Sequence, residues 1–148
     1  MEIALYLHLL AATAWIGGSL FLFALGIFLK DKEAQKNVYL HIGPLYGYFE
    51  SVWLTVLIIT GLYMFFGHGL DEVLKSAIDS ELAHIVLIKL ILVTLITIFT
   101  IIHMYLAFKT HGKERTKLQL LLSRGSSMSI FILNLIILWY AANLRSLL

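Results

Sequence analysis

From Ile3 to Leu29 the chain runs for 27 residues with a single side chain that ionises near neutral pH, His8. As a helix rising about 1.5 Å per residue, such a stretch reaches about 40 Å, enough to cross a hydrocarbon layer of about 30 Å with some tilt. Three further apolar segments follow. They run over about 45–66, with Glu50 as the one charge; about 85–108, with Lys89 and His103; and about 126–144, with Asn134 and Asn143. Pro44 suits the first position of the second helix, where its missing N–H costs nothing. Short connections join the segments, so the expected fold is all-α: a polytopic membrane protein forming one antiparallel four-transmembrane-helix bundle over residues 1–148.

Composition excludes the other classes. With 60% hydrophobic and 14% charged residues, and a mean hydropathy of +0.90, the chain has far fewer charges than the roughly 25% of soluble domains. The absence of cysteine removes disulfides, thiolate catalysis and Cys-ligated metals. A net charge of +2 argues against nucleic acid as a partner, and leaves membrane lipid as the expected surroundings. There is no internal repeat and no low-complexity stretch. No cleaved leader is expected, because the chain opens Met1-Glu2 and its first lysine is Lys30.

The positive charges predict the orientation. If the helices alternate, Lys30, Lys32, Lys36, Lys109, Lys113, Arg115, Lys117 and Arg124 share one face, against Lys75 and Arg145 on the other. Basic loops stay cytoplasmic, so both termini are expected on the outer side of a bacterial-type inner membrane. The segment Asp71 to Leu82 is expected as a short interfacial helix.

Titratable groups within apolar segments are the functional candidates, since a charge at the bilayer centre costs about 2.5 kcal/mol or more. They sort into two layers. His8 and Lys89 lie toward the outer face, with His84 just above and His68, in Gly67-His68-Gly69, at a turn. Glu50, His103 and Asn134 lie toward the cytoplasmic face, with His41 and His111 in flanking loops among lysines. On the third helix Lys89, Leu92, Val93, Ile96, Thr100 and His103 share one face, expected to point inward. On the first, Ala11, Ala14 and Gly18 form a small-residue flank, suited to close helix packing, to a flat ligand or to a homodimer.

Haem b matches these groups. Its iron takes a neutral imidazole, its macrocycle takes an apolar slot, and its propionates take cationic partners. His8 is the leading axial ligand, with Ala11, Ala12 and Trp15 three, four and seven positions on; His84 is a candidate second ligand opposite it. His103 as a further ligand would make two haems and an electron wire across the membrane. Alternatively, Glu50 and Asn134 satisfy His103, leaving one haem and a proton-linked cluster. Glu50 has a catalytic role or pairs with His103 or a loop cation. For Lys89 three roles stay open: propionate partner, axial ligand in its neutral form, or proton donor to substrate. Copper is a poorer match, because Cu(I) favours thiolate and thioether donors, and of four methionines only Met104 and Met128 are expected near one another. Each of these histidines also has a plain structural reading, a hydrogen bond between helices.

The run Leu7-His8-Leu9-Leu10-Ala11-Ala12-Thr13-Ala14-Trp15-Ile16-Gly17-Gly18 resembles the opening helix of CopD-like membrane proteins and HemJ-type protoporphyrinogen oxidases. Lys89-Leu90-Ile91-Leu92-Val93 is similar to the start of their third helix, and Thr60-Gly61-Leu62-Tyr63 to the end of their second. The HemJ resemblance implies a four-helix haem b protein that oxidises protoporphyrinogen, with His8 and Lys89 essential. A quinone, a porphyrin or another redox partner goes with that reading. The CopD resemblance implies an inner-membrane protein of copper uptake or resistance. The chain differs from the HemJ pattern at Phe21 to Gly26, where that family has a Pro-Arg pair, and at Ser129 to Asn134, where it has Asn-Glu-x-Pro. A reporter fused after Leu148 is expected to be active only outside the cytoplasm; cytoplasmic activity would reverse the charge argument.

Overall fold

The computed structural model describes residues 1–147, with side chains for 1–144; the Arg145 side chain and Leu148, both invoked above, lie outside the described residues. Five helices follow in order: α1 (Glu2–Phe28), α2 (Lys32–Gly67), α3 (Leu70–Ser76), α4 (Glu81–Lys109) and α5 (Lys117–Leu147). Four of them, all but α3, are long and apolar enough to cross a membrane. No described residue is in a strand.

Two of the helices begin well before the apolar segments. α2 starts at Lys32 rather than at Pro44, because Asp31 caps it, accepting from the backbone N–H of Glu33 and Ala34 at 2.9 and 3.3 Å. Pro44 therefore lies inside a 36-residue helix, and His41, expected in a loop, is helical and exposed. Similarly, α5 starts at Lys117 rather than near Ser126. Thr116 and Gln119 form a reciprocal cap, each side chain accepting from the other's backbone N–H at 3.2 and 3.0 Å. The interfacial helix ends at Ser76, short of Leu82, and Ser80 then caps α4 through the Ala83 N–H at 3.1 Å. Gly69 joins α2 to α3 at φ 67, a backbone region closed to most side chains.

The long helices form a ring in the order α1, α2, α4, α5, and the backbones of the diagonal pairs α1/α4 and α2/α5 do not approach closely, although side chains of α1 and α4 share the central core. Within each of the hairpins α1–α2 and α4–α5 the backbones approach closely along their length; between the hairpins the approach is slight. Trp15, Ile96 and Ile130 from three helices form the central core, and Leu70, Val86 and Leu144 close one end. Phe23 and Phe131 stack across α1 and α5 at 4.0 Å. The outer surface is apolar as well, with Ile3, Phe21, Phe28, Ile101 and Trp139 all more than 60% exposed. Such a surface suits lipid rather than water.

The small-residue flank of α1 is used within the hairpin. A Cβ built on Gly18 would meet the Tyr46 ring at 3.0 Å, whereas one on Gly17 would meet nothing within 4 Å. Ala11 is fully buried. At Gly18 this flank therefore packs against α2. Gly18→Leu is expected to force the hairpin apart and to destabilise the protein by about 1–3 kcal/mol, while Gly17→Leu leaves it unchanged. Thermal unfolding in detergent separates the two, and equal midpoints would contradict this packing.

Candidate functional site

α1 and α4 stand on a diagonal of the ring, so inward-facing side chains on them look at one another across the bundle axis. His8 and Lys89 are such a pair. Both are half-buried, and Lys89 lies close enough for its charge to act on the imidazole. Lys89 makes no hydrogen bond or ion pair among the described residues, where the one ion pair is Lys75 with Asp71 at 3.7 Å, outside the long helices. The α4 face expected to point inward does so: Leu92, Ile96 and Thr100 are buried, while Lys89, Val93 and His103 are half-buried.

The hydrogen bonds of His8 determine which of its ring nitrogens is available. Its Nδ1 lies 2.9 Å from Thr60 Oγ1, and that hydroxyl lies 2.6 Å from the Val56 carbonyl oxygen. A hydroxyl has one hydrogen, and a carbonyl oxygen can only accept, so the Thr60 proton goes to Val56. His8 Nδ1–H therefore donates to Thr60, and the neutral ring carries its lone pair on Nε2. Gly61 makes the approach possible, since a Cβ there would sit 3.2 Å from His8 Cε1. The Leu57 backbone is a further hydrogen-bond partner of the ring, and a ring oriented through Nδ1 is also the arrangement of a metal-ligating histidine. Ala11 and Ala12, fully and half-buried, follow His8 on the same face, and Trp15 is buried with its indole N–H unpartnered.

His84 is not part of this pair. Its neighbour Ala83 is fully buried on the inner face, and one residue further along the helix, about 100° round, His84 points outward and is exposed. It cannot face His8 as a second axial ligand in this arrangement. His68 Nδ1–H donates locally to the Met64 carbonyl oxygen at 2.9 Å, and His111 is exposed.

In the second layer Glu50 and His103 meet, though not as a salt bridge. They line a cleft of about 30 Å³ between the helices, together with Ser19, Tyr46 and Ser127. Glu50 is 3% exposed and has no hydrogen bond or ion pair among the described residues. His103 is held by α5: its Nδ1 lies 3.3 Å from the Ser123 carbonyl oxygen and 3.4 Å from Ser126 Oγ. Asn134 does not satisfy His103, as one reading of the sequence required. It is 2% exposed, and its amide has no partner among the described residues.

Copper finds no assembled site either. Among the described residues no three His, Asp or Glu side chains converge. Met104 packs against Gly47, while Met128 is 47% exposed on another helix. Thr60, Tyr46 and Ser126 are the site residues that sequence reasoning did not single out. A hydroxyl in an apolar helix ordinarily bonds its own backbone four residues earlier, so its composition carries no sign of a second partner.

No protein-family model matches the chain, and no solved structure does. An uncharacterized protein of Aquifex aeolicus (strain VF5) is 42% identical over 66 residues, covering 41% of this chain and 45% of that protein. The matched stretch thus spans less than half the length of that relative. Thr60→Val removes the acceptor for His8 Nδ1–H. Nitrogen-15 NMR is expected to find one neutral tautomer, Nδ1–H, in the wild type and a mixture in the variant; a mixture in both would refute the assignment.

Proposed function

We propose that the chain is a four-helix protein of a bacterial-type inner membrane, both termini outward, that binds one haem b through His8 and serves a redox reaction. The observation that carries this reading is the His8 imidazole, oriented by Thr60, on a small-residue face and across the axis from an unpaired lysine. Haem, when bound, supplies a one-electron couple. The residues of the chain do the rest. Thr60 would hold the ring, Gly61 lets α2 approach it, Ala12 adds little bulk beside it, and Lys89 would offer a cation to a propionate or a proton to a substrate. The backbone packing between the hairpins is slight, and a flat macrocycle would enter along that seam. The resemblance to HemJ-type oxidases implies that His8 and Lys89 are the essential residues, and extends the proposal to a porphyrin or quinone as the redox partner.

One haem, at His8, is proposed. Protein purified from membranes is expected to show Soret and α bands, with one haem per chain by pyridine haemochrome. His8→Ala loses the bands and His103→Gln keeps them. A colourless protein that takes up no added haemin, or a His8→Ala variant that stays folded with its spectrum intact, overturns the proposal.

A further inference from the structure

In the second-layer cleft Glu50 is 3% exposed, and among the described residues it has no hydrogen bond or ion pair. Beside it the Tyr46 hydroxyl is buried and unpartnered. A buried polar group left without a partner costs about 1–3 kcal/mol, and more if charged. A water molecule needs about 10–15 Å³ by the same kind of measure and two to four polar partners. The cleft offers about 30 Å³, and Ser19, Tyr46, Glu50, His103 and Ser127 surround it. All four long helices contribute to this lining, two from each hairpin.

We propose that this cleft binds water, and that Glu50 and His103 exchange protons through it across the seam between the hairpins. The Ser123 carbonyl can only accept, so His103 Nδ1 is its N–H nitrogen and Nε2 carries the lone pair. In the forward direction the Glu50 carboxyl O–H bond breaks, its proton passes to the water oxygen, and a water O–H proton passes to Nε2. The products are a carboxylate, an imidazolium and a water restored; the reverse regenerates the start. The titratable or charged groups facing the pair are Tyr46 from α2 and, through the α4–α5 connection, Arg115. At the cleft α1 and α5 contribute only the uncharged Ser19, Leu22, Ser127 and Ile130. Arg115 in turn is tied to Thr110 Oγ1 at 2.7 Å and Ser123 Oγ at 3.0 Å, on the side of the bundle where the basic loops lie.

This inference stands apart from the haem reading, since it uses none of the residues of the first layer. The test is water-to-protein polarisation transfer by solid-state NMR on the full chain in lipid bilayers. Glu50 and His103 side-chain signals are expected to receive magnetisation from water, while Ile96 in the apolar core receives none. Ser19→Leu, which fills the cleft, loses both transfers. Glu50→Gln keeps water in the cleft and loses the proton exchange at the His103 ring. A wild type in which neither Glu50 nor His103 receives magnetisation from water overturns the proposal, as does a Ser19→Leu variant in which both transfers persist. Wild-type spectra alone decide the first outcome, so misfolding of a variant does not protect the idea.

Discussion

Hydrocarbon cannot accept a hydrogen bond, and four side chains in the apolar helices, His8, Glu50, Lys89 and His103, need more than hydrocarbon around them. Each must turn toward the bundle interior, and in doing so it sets the rotation of its helix. The consequences propagate along each helix at 3.6-residue spacing. Lys89 and His103 turn Leu92, Ile96 and Thr100 inward, and His8 does the same for Ala11 and Trp15. The apolar residues left over, Phe21, Phe28, Ile101 and Trp139 among them, face outward, where lipid takes them as readily as a core would.

Within this constraint the two layers are solved differently. In the first, a backbone-anchored hydroxyl holds the imidazole: Thr60 donates to its own helix and accepts from His8, so a single bond between α1 and α2 selects the tautomer. In the second, direct partners are missing. Glu50 and Tyr46 face a small cleft instead of one another, and the space between them has the size and the chemistry of water. Between the layers lie Trp15, Ile96 and Ile130, a dry plug from three helices. The hairpins, each closely packed within itself, meet along a seam on which the Glu50–His103 cleft lies.

Much of the architecture is legible in the residues, because length and apolarity act locally. The four spans, the turn at Gly69 and the inward face of α4 can be read from the chain. The helix starts were misplaced for an equally local reason. Apolar runs mark the membrane-sized part of a helix, whereas Asp31, Ser80 and the Thr116–Gln119 pair mark where it begins. Pro44 was given too much weight as a start signal, since the capped turns before it form a helix that continues through the proline.

From the sequence alone come the class of fold, the number of spans and the identity of the titratable groups, since each is a property of residue type and of spacing along one helix. Tertiary structure decides the rest. His8 faces Thr60, 52 residues away; Glu50 and His103 share a cleft without pairing; and His84 turns outward although it lies within the same helix as Lys89. These outcomes depend on which helices are neighbours and how far each is rotated. That choice comes from packing summed over the whole ring, from Gly18 against Tyr46 to Phe23 against Phe131, which no local pattern encodes.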